Sequence, residues 1–169
     1  MRRIALALVA GMLIVPAGAG VLAWLGAWSV DATAPPPAWE RALARRAVSA
    51  SVARRAPRIS SPIQATPDEL LAGLKAYRNN CAGCHGTAAQ PSEWGSEDFY
   101  PRVPQFAVAP PRKPEWQLFW IVQHGVRYSG MGAWRHLMPD STIWQVVGFL
   151  SRLDSLPPAV DAAWRAGGR

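Results

Sequence analysis

The chain has 169 residues and a formal net charge of +7, a length that holds one small domain with flanking segments. The charge is uneven: residues 31–58 hold six arginines against two acids, whereas residues 59–158 hold eight basic and eight acidic side chains. A neutral folded region gives nucleic acid no basic face to bind, and a basic stretch outside it suits anionic lipid headgroups.

Arg2 and Arg3 precede an uncharged run from Ile4 to Val30. A secretory signal has an apolar core of roughly 7–15 residues, and this run is far longer. As a helix it spans about 40 Å, enough for the ~30 Å of bilayer hydrocarbon. Pro16 is tolerated in a membrane helix. Trp24 and Trp28 lie four apart near the outer end, where an aromatic belt belongs. Residues 1–30 are therefore expected to form an uncleaved membrane anchor. The rival is cleavage after Ala17-Gly18-Ala19, which leaves Val21 to Val30 as an apolar new N-terminus. Arg2 and Arg3 favour an inside N-terminus, while the arginines between Arg41 and Arg58 argue the other way.

Residues 31–65 read as a Pro/Arg-rich juxtamembrane linker. Pro35-Pro36-Pro37 makes a stiff exit, and Trp39 to Ala56, rich in alanine and arginine, is expected to be helical. Trp39, Leu43, Ala47 and Ala50 share a face, but Val48 and Val52 fall opposite, so the amphipathic signal is weak.

Residues 66–156 form the expected folded domain. Thr66-Pro67-Asp68-Glu69 is a helix start, with an N-cap, a first-position proline and acids in the first turn. Leu70, Leu71, Leu74 and Tyr77 follow at helical spacing and deliver the chain to Cys81. Residues 86–113 are proline-rich and read as a long loop. Pro114-Glu115 opens a second helix with Trp116, Leu118, Phe119, Trp120 and Val122, ending near Gly125. Asp140 or Ser141 is expected to cap the last helix, where Ile143, Trp144, Val147, Leu150 and Leu153 form the apolar stripe. Pro157-Pro158 stops it, and residues 157–169 read as a poorly ordered tail. No run alternates as a strand, so the fold class is all-α.

Cys81-Ala82-Gly83-Cys84-His85 contains the only cysteines. Cys-x-x-Cys-His is the attachment signature of a c-type haem: two thiols three positions apart add to the two vinyl groups of one haem, and the adjacent histidine lies under the iron as proximal ligand. A redox dithiol expects a βαβ context, and a zinc site needs a further ligand at finger-like spacing, which His124 and His136 do not supply. Cys81, Cys84 and His85 are thus expected to hold one covalent haem c. A core of about three helices is small, and a haem at its centre supplies the missing apolar bulk. The second axial ligand comes from Met131, Met138, His124 or His136. Met131 lies in the glycine-flanked loop Ser129-Gly130-Met131-Gly132, where glycines let backbone approach a flat ligand, and is favoured. Met138, just before Pro139, reads as core.

These motifs, with Tyr100-Pro101, Leu118 to Gly125, Gly130-Met131 and Trp144 to Leu150, resemble a class I cytochrome c, more narrowly the bacterial membrane-anchored monohaem cytochromes. The resemblance runs from about Thr66 to Leu156. It implies a small class I cytochrome c fold round one haem, behind an N-terminal transmembrane helix, with the haem domain exported to the periplasm on the inner membrane. It implies one-electron transfer with His85 and Met131 as iron ligands, no substrate transformed and hence no enzyme. Redox partners are a quinol-oxidising complex, a periplasmic dehydrogenase or a terminal oxidase. It also implies that a proline carbonyl, from Pro91, Pro101 or Pro104, accepts the His85 Nδ1 proton. Gly132 departs from the proline usual after the ligand methionine, which leaves that loop freer. The alternatives are a haem sensor or peroxidase-like enzyme with a labile sixth ligand, or a cytochrome subunit of a larger dehydrogenase or oxidase.

Overall fold

The computed structural model describes residues 2–167, apart from the side chains of residues 5–9. Among the described residues there are eight α-helices and no strand, the all-α class that the sequence predicts. The chain divides into two compact units, one ending at Ala34 and the other beginning at Pro35.

The first unit is α1 (Arg2–Trp24), which runs through Pro16 and closes with Gly26 at φ 71°. Met12, Leu13, Ile14 and Val15 lie exposed along it. Among the described residues no helix is long and apolar enough to cross a membrane. The expected anchor includes residues 5–9, whose side chains lie outside the described set.

The second unit is built on α3 (Pro67–Asn80) and α7 (Asp140–Leu150). Thr66 caps α3, its hydroxyl accepting from Glu69 N at 3.3 Å, with Pro67 in the first turn. The two helices meet backbone to backbone at Gly73, where a Cβ would fall 2.0 Å from the Gln145 carbonyl oxygen. Leu70, Leu74 and Tyr77 pack there against Val146, Phe149 and Leu150. The opposite side of α7, with Ile143, Trp144 and Val147, packs against Leu118, Phe119 and Val122 of α6 (Glu115–His124). Phe119 and Trp144 stack at 4.1 Å. α7 thus lies between two apolar clusters, which is why nearly every non-polar residue along it is buried. Glu115 ties α6 to α7, accepting from Arg152 at 2.7 Å and from the Ser151 hydroxyl at 2.9 Å.

Three expectations need correction. The described residues after Pro157 do not form a loose tail: α8 (Pro158–Ala166) buries Val160 and Trp164 in the α3–α7 cluster, while residues 168 and 169 of that expected tail lie outside the described residues. Pro158 sits in the first turn of that helix, where the missing N–H costs nothing, so the proline pair starts a helix; it does not stop α7, which has already ended at Leu150. Arg78 donates to the carbonyls of Ala163 and Trp164, satisfying acceptors that the end of α8 leaves open. The 86–113 loop is interrupted by a short helix, α5 (Glu93–Glu97), capped by Ser92. Last, neither Asp140 nor Ser141 caps α7; Pro139 holds the N-cap position without a side-chain bond.

The arginine-rich stretch contains the expected helix, α2 (Ala38–Arg55), but it is more than a connector. Val52 and Ala56 are buried, at 2% and 7% exposure, and α2 contacts α6. Lys113 reaches Ser49 at 3.5 Å, the Arg58 guanidinium lies over the Trp116 ring at 5.9 Å, and the Tyr100 hydroxyl donates to Glu40.

Candidate haem site

α3 ends at Cys81, which also opens α4 (Ala82–His85). Cys81 N donates to Tyr77 O at 2.7 Å, and Cys81 O accepts from Cys84 N at 3.1 Å and His85 N at 2.9 Å. One helical turn therefore carries both thiols on one side, with the imidazole next to the second. Gly86 ends the turn at φ 79°, a conformation that favours glycine. A Cβ there would also fall 2.9 Å from Gln105 Oε1.

The back of this turn is closed by residues far along the chain. Ser92 Oγ donates to Gly83 O at 2.6 Å and Gln105 Nε2 to Cys84 O at 3.0 Å. Gln105 Oε1 accepts from Ser92 N at 2.8 Å. Gly95 of α5 presses on Cys84 so closely that a Cβ would fall 1.9 Å from the Cys84 carbonyl oxygen. The buried Tyr77 hydroxyl donates to Gly86 O at 2.8 Å, and burial holds its phenol protonated far above the usual range. Every carbonyl round the attachment turn thus finds a donor, as buried backbone requires.

His85 Nδ1 lies 2.9 Å from Pro104 O. A carbonyl only accepts, so Nδ1 carries the proton and Nε2 presents its lone pair, the tautomer an iron ligand needs. The ring stacks on Phe106 at 4.4 Å and 6°, while Phe106 N donates to His85 O at 3.2 Å. Two contacts thereby fix the imidazole plane. Burial lowers the His85 pKa, partly offset by the bond to Pro104, so the neutral form is favoured. Burial, with the neighbouring Cys84, pushes the Cys81 thiol up to about 11, and both cysteines are free and half-buried. Among the described residues no three His, Cys, Asp or Glu side chains converge on a metal site. Paired thiols on one turn and an oriented imidazole therefore form no protein-only metal cage. They fit a haem, which brings four nitrogens of its own.

Met131 lies on a different segment. Gly125 ends α6 at φ 70°, and a Cβ there would fall 2.6 Å from Met131 O. Val126 N donates to Met131 O at 2.9 Å. The Ser129 hydroxyl donates to Val126 O at 2.7 Å and accepts from Met131 N at 3.1 Å. Both backbone polar groups of Met131 are held, while its half-buried side chain rests against the α6–α7 cluster. Phe99 packs on Gly130 and edge-on against Trp94 at 4.7 Å, which links this loop to the segment that backs His85.

The other candidates stand elsewhere. Met138 is buried among Leu118, Phe119 and Trp144. His124 is exposed, stacks on Trp120 at 4.6 Å and donates from Nδ1 to Trp120 O at 3.0 Å. His136 is exposed and accepts from Arg135 Nε at 3.1 Å. Gln105, Ser92 and Gly95 escaped the sequence reading. Only the position of Gln105, next to Pro104, hinted at a role.

Residues 68–150 match the protein-family model described as cytochrome c oxidase, cbb3-type, subunit III. The matched region spans α3 to α7 and contains Cys81, Cys84, His85 and Met131. No curated protein matches the chain.

Proposed function

Because this chain belongs to the class I cytochrome c family, whose covalent haem c transfers electrons, we propose that it is a membrane-anchored periplasmic carrier with one haem held by Cys81, Cys84, His85 and Met131. Haem bound there supplies an iron that takes up and returns one electron, at a potential raised by histidine–methionine ligation. The chain's own residues set the terms of that exchange. Pro104 O holds the proton on His85 Nδ1 and so keeps Nε2 a strong, oriented donor. Phe106 shields one face of the imidazole.

The observation that carries the reading is the Met131 turn. Its backbone is pinned at both N and O, so the thioether is offered from a prepared loop, as a permanent ligand requires. With the Met131 thioether bound, the sixth position would be closed to a gas or peroxide, as a carrier rather than a sensor or peroxidase-like enzyme requires. The ferric protein is expected to show the weak long-wavelength sulfur-to-iron band, and the reduced protein to bind carbon monoxide poorly. Ready carbon monoxide binding with no such band overturns the carrier reading.

Anchoring is supported by the uncharged run from Ile4 to Val30 and by exposed apolar side chains along α1, which water disfavours. Arg2 and Arg3 favour an inside N-terminus, which sets the haem domain on the outer side. Full-length protein is expected to stay with membranes through high-salt washing and to leave only in detergent. An N-terminus beginning at Gly20 overturns the uncleaved anchor.

Electrons enter from a quinol-oxidising complex or a periplasmic dehydrogenase and leave to a terminal oxidase. The description of the matched family, a subunit of a cytochrome c oxidase, favours a second reading in which this chain is a fixed subunit of such a complex. Gentle detergent extraction separates the two: a free carrier runs near its own 18.3 kDa plus detergent, a subunit with partners.

A further inference from the structure

Residues 39, 43, 46, 47, 50 and 54 recur at three- and four-residue steps and so share one side of α2. Trp39 is 68% and Leu43 62% exposed, and Arg46, Ala47, Ala50 and Arg54 are exposed with them. The opposite side carries buried Val52 with half-buried Val48 and Ser51. The weak amphipathic signal of this segment therefore has a structural cause. Two apolar stripes lie back to back, one spent on the domain and one facing outward.

We infer that the outer stripe seats α2 on an anionic phospholipid surface. Trp39 and Leu43 enter the boundary between headgroups and acyl chains, and Arg46 and Arg54 meet phosphates, the composition of a helix that lies in a membrane interface. Charge selects this occupant. Of the five arginines on α2, Arg46 and Arg54 lie on the outer side, and the one acid of the helix, Glu40, already accepts from the Tyr100 hydroxyl. Only residues 31–37 separate α2 from Val30, the last residue of the uncharged run. The inference rests on the anchored reading and deepens it. α1 tethers the chain, whereas α2, joined to the domain through Val52 and Ala56, sets the tilt at which the haem domain stands over the bilayer.

The test uses full-length haem-loaded protein in nanodiscs of phosphatidylcholine alone, or with roughly a third phosphatidylglycerol. Hydrogen exchange is read over residues 38–55. Phosphatidylglycerol is expected to slow exchange there by about tenfold or more, an effect that high salt removes. Arg46→Glu with Arg54→Glu is expected to abolish the slowing while α3 and α7 exchange as before. Trp39→Ser, which leaves every charge in place, is expected to weaken it. Equal exchange in both lipids, with the chain still in the disc after a salt wash, overturns the seat and leaves the anchor standing. Protection that grows with protein concentration in either lipid also overturns it, because a second copy then covers the stripe. A chain that leaves the disc in salt overturns the anchored reading itself.

Discussion

His85 and Met131 stand on segments that are held in opposite ways. The Cys81–His85 turn is clamped from outside, by Ser92, Gly95, Pro104 and Gln105, and His85 is fixed through the ring itself, by Pro104 and Phe106. The Met131 loop takes its hydrogen bonds from Ser129 and Val126 of the same turn, and its longer-range contacts are the Met131 side chain on the α6–α7 cluster and Phe99 on Gly130. Gly132 follows it in open space, where a Cβ would meet nothing within 4 Å. The proposed proximal ligand is thus built into the tertiary structure, and the proposed sixth ligand is presented by a turn whose hydrogen bonds are local. Local segments with few long-range contacts open at lower free energy than the global fold. The methionine side is therefore expected to be released first under denaturant.

Removing both thiols gives the largest effect. Cys81→Ser with Cys84→Ser is expected to leave no haem on the polypeptide after acid–acetone extraction, seen as the loss of one haem in intact mass. Helicity by circular dichroism is expected to fall as well, because the small core loses its centre. Haem that stays bound in this variant breaks the assignment of the clamped side.

The two methionines come next. Met131→Ala is expected to remove the sulfur-to-iron band, open the reduced iron to carbon monoxide and lower the reduction potential. Met138→Ala is expected to leave all three in place and to cost about 2–5 kcal/mol in denaturant unfolding, as a buried truncation does. Exchanged phenotypes make Met138 the ligand.

A sharper contrast pairs Gln105→Ala with Ser129→Ala. Gln105→Ala leaves Cys84 O and Ser92 N without their partner, a loss of about 1–3 kcal/mol in global stability, with the sulfur-to-iron band intact at neutral pH. Ser129→Ala is expected to cost only about 1 kcal/mol, felt as loss of the band at lower denaturant while the helices unfold where they did. Equal shifts in band and helix midpoints for both variants erase the distinction between the two sides.

Gly132→Ala is the mildest change. Position 132 has room for a Cβ and no positive φ, so alanine only narrows the open-loop ensemble, worth about 0.4–1 kcal/mol. The band is expected to persist to slightly higher denaturant, with the helical transition unmoved.

How much of this was legible in the chain depended on the range of the interaction concerned. The turn from Cys81 to His85, the Thr66 cap and the cores of α3, α6 and α7 follow from neighbours one to four residues apart, and periodicity and capping report such contacts directly. Met131 stood out for the same reason, its glycines being adjacent. The helix after Pro157 was missed because two prolines signal both an end and a beginning, and only the burial of Val160 and Trp164 against α3 decides between them. α2 was legible as a helix, but its weak moment concealed two opposed stripes until Val52 was seen against the domain.

By itself, then, the sequence determined the attachment chemistry, the all-α class and the order of the core helices, because each rests on side-chain identity at local spacing. Tertiary structure decided which of three prolines orients His85, that Gln105, Ser92 and Gly95 close the back of the attachment turn, and which face of α2 remains outward. Those contacts join residues about ten to seventy positions apart. Their partners are chosen by packing and by the need to pair every buried carbonyl, conditions that no local pattern records.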